Sequence, residues 1–224
     1  MKVILMLVIK MNKKIIILLF LLPFFISAQV ISDAQQWTNF SVNKKINDFE
    51  FSLGEEFRFD ENITHLGKFF TELGAEYKIK KGLYIGANYR FIRENDYETS
   101  NYNLAHRIDI GVGYKLKLSK LKLDFKTKFQ VKSSLPEENS PTFNRTKVTT
   151  NYSINEKLTP FVSYEVFYQF NDQHIINKTR LSIGTKWAIN DENSLKLYYL
   201  FDNKFNVKKL KYNHIFGVSY SIDI

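Results

Sequence analysis

Apolar and polar residues alternate with a period of two along most of this chain. Phe49, Phe51, Leu53, Phe57 and Phe59 take every second position, and Glu50, Ser52, Gly54, Glu56, Arg58 and Asp60 fill the positions between. Successive strand side chains point to opposite faces, so the segment presents one greasy face and one charged face. The pattern returns about ten times, in segments of about ten to thirteen residues. Strands of soluble sandwiches are usually shorter, about five or six residues. Long alternating strands with an aromatic-rich face predict a transmembrane β-barrel.

The connections support that reading. Short ones fall near Lys45–Asp48, Lys80–Gly82, Leu118–Lys120, Asn155–Lys157 and Asn190–Asn193. Longer ones fall near Asp60–Gly67, Glu94–Asn103, Ser133–Thr142, Asn171–His174 and Asn203–Lys209. The two kinds alternate, as tight periplasmic turns and longer outer loops do in outer-membrane barrels. The fold class expected is therefore all-β, a single antiparallel transmembrane barrel of about ten to twelve strands. Counting Gln35–Lys44 as a strand gives an odd total, whereas bacterial single-chain barrels normally have an even one. An even barrel requires that residues 29–44 hide two short strands, thread the lumen or lie outside the wall. Glu55 breaks the alternation by falling on the greasy face, which predicts a bulge or a displaced register there. Gly54, Gly74, Gly86, Gly111, Gly113, Gly184 and Gly217 fall on the polar face, where they make room in a crowded interior; Gly67 and Gly82 are expected at turns.

The N-terminus reads as a secretion signal. Met1–Lys10 is an upstream extension, and Met11 begins a cleaner signal. Asn12, Lys13 and Lys14 form its charged region, Ile15–Ile26 its apolar stretch, and Ser27-Ala28 precede Gln29 as a cleavage site. The expected division is a signal peptide over 1–28 and an outer-membrane barrel over 29–224, in a Gram-negative cell. The chain has no Cys, which removes disulfides, thiolate metal sites and a lipoprotein anchor. The formal charge of +9 falls when the signal's four Lys leave: 28 bases against 23 acids give +5. So mild an excess does not argue for nucleic acid. The expected partners are outer-membrane lipid and lipopolysaccharide, and the sequence names no protein partner.

The polar faces carry the candidate chemistry. Lys122, Lys126, Lys128 and Lys132 form a basic column, continued by Arg145 and Lys147 and approached by Lys178, Arg180 and Lys186. A water-filled lumen lined this way favours anions. Glu50, Glu56, Glu72 and Glu76 lie on earlier inward faces and are expected to pair with these bases, because unpaired buried charges are costly. The expected function is thus a structural or interaction barrel with a charged, largely filled lumen. A small anion-preferring pore is the alternative, and a lipid-modifying enzyme a second one. His65, His106, His174 and His214 all fall toward the long-connection end, and Ser100 lies in a neighbouring loop. No close His ligand pair, Gly-x-Ser-x-Gly turn or phosphate-cradling loop is present, so no catalytic residue, metal or cofactor is expected. The acids of Glu94-Asn95-Asp96-Tyr97-Glu98 and Pro136-Glu137-Glu138-Asn139 are expected to be solvated.

With these features the chain resembles a family of Bacteroidota outer-membrane proteins known as domain of unknown function 2490. The likeness rests on Gln36-Trp37-Thr38, Gly54-Glu55-Glu56-Phe57-Arg58, Gly74-Ala75-Glu76-Tyr77-Lys78-Ile79, Tyr89-Arg90-Phe91, His106-Arg107 and Gly217-Val218-Ser219-Tyr220. The resemblance implies an outer-membrane barrel and no particular activity. The last residue is Ile224, where barrels commonly end in Phe or Trp.

Overall fold

In the computed structural model, which describes residues 31–134, 141–171, 174–207 and 209–224, the alternating segments form eleven strands. They are β1 (Ile31–Ile46), β2 (Phe49–Asp60), β3 (His65–Lys80), β4 (Leu83–Asn95), β5 (Tyr102–Leu118), β6 (Leu121–Ser134), β7 (Phe143–Tyr152), β8 (Leu158–Gln169), β9 (Ile175–Ala188), β10 (Asn193–Lys204) and β11 (Lys211–Asp223). The expected signal over 1–28 and the Pro136–Asn139 stretch lie outside the described residues.

Turn chemistry defines the hairpins. β1 and β2 meet across Asn47-Asp48, with Asn47 in the left-handed region (φ 54°) that a two-residue hairpin requires. Gly82 (φ 81°) does the same for β3 and β4. At two other short turns an Asn side chain closes the bend. Asn155 accepts from the backbone N–H of Leu158 at 2.7 Å, and Asn190 from that of Asn193 at 2.6 Å.

Each strand pairs with the next, and the sheet closes where β1 meets β11 in parallel. That single parallel seam permits an odd number, so the expectation of an even barrel is overturned. Residues 31–46 form one wall strand, hydrogen-bonded on both sides; they are neither two short strands nor a lumen thread nor a segment outside the wall. Because β11 runs toward the short turns, β1 must run the same way and starts at the long-loop end.

A row of paired residues climbs the wall as it passes from strand to strand. From Ile46 it crosses Phe49, Tyr77, Ile85, Val112, Thr127, Thr146, Val166, Thr179, Asn203 and Tyr212, and re-enters β1 at Ser32. The offset is 46 − 32 = 14 residues, a stagger that tilts the strands by roughly 40° from the barrel axis. The register shifts, as at a bulge, after Arg58 on β2, Lys78 on β3 and Phe167 on β8. Glu55 is not at a bulge, contrary to expectation. It sits in unbroken register between Phe40 and Thr71 and faces outward. Gly67 also departs from expectation, lying inside β3 as the extra residue of the first bulge.

The barrel is apolar outside and charged within. On β5 the outward Ile110 is 62% exposed while its neighbour Asp109 is 1% exposed. Water would not sustain that arrangement. Hydrocarbon would, since a closed sheet satisfies every backbone group internally.

Candidate functional site

The lumen holds most of the charge. Alternation turns Arg58, Lys68, Arg90, Arg107, Lys128, Arg145, Arg180 and Asp202 inward from eight strands, and the tilt of the wall sets which of them meet. Arg145 donates to Glu165 from Nε and Nη2 at 3.0 and 2.8 Å, and from Nη1 to Gln130 at 2.9 Å. Arg180 donates to Asp202 at 2.8 and 3.0 Å. Asp109 takes both Arg107 at 2.7 Å and Lys128 at 2.9 Å. Arg90 pairs with Glu72. Such fork-shaped contacts suit arginine, whose planar donors match a carboxylate.

Two cavities occupy this interior. A cup of about 710 Å³ opens at the long-loop end between Asp60, Glu94, Asp96, Tyr97 and Asp202. Below it, a chamber of about 370 Å³ is lined by ten Lys and Arg side chains but only two acids, Glu56 and Glu165. Trp37, Arg58, Lys68, Lys132 and Arg180 border both. They form a collar: the Arg58 guanidinium lies 3.6 Å from the Trp37 ring and that of Arg180 lies 5.2 Å from it. The indole N–H donates to Gln35 at 3.1 Å, which fixes the ring. Trp37 also packs on Leu200 and Ile215, so the collar rests on an apolar cluster.

Three lysines of the chamber make no ion pair among the described residues. Lys196, Lys147 and Lys178 follow one another from the short-turn end toward the long loops, on β10, β7 and β9. Lys178 lies 4.0 Å from the Phe167 ring and Lys196 lies 4.4 Å from that of Phe161, so aromatic faces take the place of carboxylates.

The residues singled out by sequence are distributed unevenly. Lys126 meets Glu76 at 2.6 Å, and Lys132 meets Glu94 at 2.7 Å. Lys128, Arg145 and Arg180 are paired as above. Lys147 is unpaired, and Lys122 and Lys186 stand exposed at the short-turn mouth. Of the acids, Glu76 bridges to Lys126 of the column, whereas Glu72 bridges to Arg90 and Arg107 outside it. Glu56 instead binds Arg58 on its own strand at 2.6 Å, and Glu50 is exposed near the β1–β2 turn, without an ion pair among the described residues. Asp109 and Glu165, inward by alternation but not expected as partners, and Asp202 hold much of the basic column. Glu94, expected to be solvated, instead bridges Lys68 and Lys132. Trp37 and Lys196 are not among the site residues singled out by sequence. Their inward parity was readable from alternation; their neighbours were not.

The histidines are not brought together. His65 stacks on Tyr97, while Nδ1 of His106 and of His214 each meet a Tyr hydroxyl at 2.7 Å, Tyr89 and Tyr199, on the outer wall. Among the described residues no group of three His, Cys, Asp or Glu is placed to hold a metal ion.

An antiparallel sheet closed by one parallel pair, apolar outside and charged inside, defines a transmembrane β-barrel. The chain belongs to the family described as Protein of unknown function (DUF2490), whose model matches residues 34–213. Among solved structures it is similar to the beta domain of the Bordetella autotransporter Brka, with 12% identity over 71% of this chain and 79% of that one and a TM-score of 0.46. It is also similar to the anion-selective porin from Comamonas acidovorans, with 9% identity over 77% of this chain and 52% of that one and a TM-score of 0.37. No curated protein matches it.

Proposed function

We propose that the protein resides in the outer membrane of a Gram-negative cell and passes small anions through its lumen. The observation that carries this reading is the set of three lysines in the chamber, Lys196, Lys147 and Lys178, which make no ion pair among the described residues while the other seven bases lining it are paired. Successive weak sites of one sign are what conduction needs, because an ion must be attracted at each step and released at the next. The collar at Trp37 lines both the chamber and the cup, so in this reading an anion reaches the lysines from the long-loop side past it. In this reading the barrel has no catalytic step, and its surroundings are lipid and lipopolysaccharide. Aromatic pairs near both ends of the wall, Phe49–Tyr77 and Phe69–Tyr102, suit the two membrane interfaces.

The test is single-channel recording of refolded protein in a planar bilayer under a potassium chloride gradient. Reproducible steps with a reversal potential on the chloride side support the pore. Silence from protein shown to be folded sinks it. One observation favours a second reading, a braced structural barrel: Lys126–Glu76 ties β6 to β3 and Lys132–Glu94 ties β6 to β4 across the interior. That reading predicts the silence.

A further inference from the structure

Glu55 is, among the described residues, the one carboxylate that a strand turns toward the membrane. It lies midway along β2, directly opposite Phe40 on β1 and Thr71 on β3. Thr71 Oγ1 donates to its Oε1 at 2.5 Å, and no other described group bonds it. On the same wall β1 turns Thr38 and Gln36 outward, two and four residues from Phe40 toward the long-loop end; the Gln36 amide reaches Thr38 Oγ1 only at 3.5 Å. Because the tilt of the wall raises each strand's partner row toward the long loops, the Thr38 donor on β1 and the Glu55 acceptor on β2 lie at nearly one depth, with hydrocarbon around them. Lipid tails satisfy neither, and an ionisable group placed there is expensive unless a partner answers it.

We propose that the β1–β2 wall is an interface between two copies of this chain. A two-fold axis along the membrane normal, between these strands, brings Glu55 of each copy onto Gln36 and Thr38 of the other. The contact is self-complementary, as an isologous interface must be, because donors and acceptor lie on opposite sides of the axis. Phe40, 52% exposed beside Glu55, supplies apolar contact around the polar centre. Beyond it, a groove of about 700 Å³ floored by Ala75 and Ala87 gives room for side chains of the second copy.

The absence of Cys makes the test direct. Phe57→Cys protein, with the cysteine on β2 opposite Thr38, is treated in membranes with a short thiol-to-thiol crosslinker, and Thr146→Cys on β7, at the far wall, serves as the control. The expected result is a covalent species of twice the monomer mass from position 57 and none from position 146. Adding Glu55→Leu should lower the crosslinked fraction about tenfold, the effect of losing one or two intramembrane hydrogen bonds. Glu55→Gln, which keeps hydrogen bonding, should leave it close to the starting level. Folding of every variant is verified by the gel shift between boiled and unboiled samples. Monomer alone from folded Phe57→Cys protein overturns the proposal, as do equal crosslinking at both positions and a dimer indifferent to Glu55→Leu. A crosslinked band of any other mass identifies a different occupant and overturns it too.

Discussion

Tyr198 on β10 lies flat against Gly217 on β11, so closely that a Cβ at position 217 would overlap the ring. Tyr84 on β4 lies in the same way on Gly113 of β5, with its hydroxyl donating to Asp124 at 2.9 Å. Two bulky rings are thereby laid along the wall rather than across the lumen. Gly217→Ala should push Tyr198 off the wall and destabilise the barrel by about 1–3 kcal/mol, the usual cost of overpacking. The check is the denaturant midpoint in detergent. Tyr198→Ala in the same background should recover part of the loss, and an unchanged midpoint in Gly217→Ala would show that the ring has room to move.

Asp109 is the most buried carboxylate of the lumen and holds two cations, Arg107 and Lys128. Removing one member of such a group strands its partners. Asp109→Ala is therefore expected to cost about 3–5 kcal/mol, more than Glu50→Ala at the exposed rim, which should be near neutral. Comparing the two unfolding midpoints tests this, and equal effects would refute the burial argument.

If the three unpaired lysines make the anion path, replacing Lys147, Lys178 and Lys196 together by Gln should lower anion preference. The stability of the barrel should survive, since none of them gives up an ion pair. Reversal potentials in a salt gradient report the first, and the gel shift the second. An unchanged reversal potential in a folded triple variant would move selectivity elsewhere.

Asp96, in the connection between β4 and β5, accepts a hydrogen bond from the Glu98 backbone N–H at 3.0 Å. That bond, followed by the Thr99 hydroxyl, holds its carboxyl below the ordinary value of 3.8. A lowered acid pKa means that the folded loop favours the carboxylate. Its stabilising effect is complete above the unfolded value and drains away as pH falls through the folded one. Amide protection at Glu98 should hold near neutral pH and weaken in that acid range, and Asp96→Asn should remove the dependence. Neighbouring Tyr97, protonated in this acid range like any phenol, has its pKa raised further by burial and then by its hydrogen bond to Asp60.

The parallel seam makes a topological prediction. β1 starts at the long-loop end, so a tag just ahead of Ile31 should be reachable from the same side as a tag in Glu94–Asn103. A tag at Leu118–Lys120 should be reachable only from the other side. On intact cells the first two are expected to label and the third is not. Labelling that separates Ile31 from the long loops would contradict the seam.

Period-two alternation was enough to identify the strands and the side of the wall each residue occupies. Leu73, Ile110 and Leu181 face outward and Glu72, Asp109 and Arg180 inward, because a strand allows its side chains only two directions. Loop lengths likewise showed which ends of the hairpins lie together. Other features depended on contacts far apart in the chain. The seam joins Ser41 to Ser221 at 2.9 Å, and nothing local in either segment says that they are neighbours or that they run parallel. Charge pairing has the same origin. A row climbs fourteen residues around the wall, so Lys126 reaches Glu76 three strands away, while Lys147, opposite Glu165, makes no ion pair among the described residues. Local sequence determines which way a side chain points; closure of the sheet decides what it meets there.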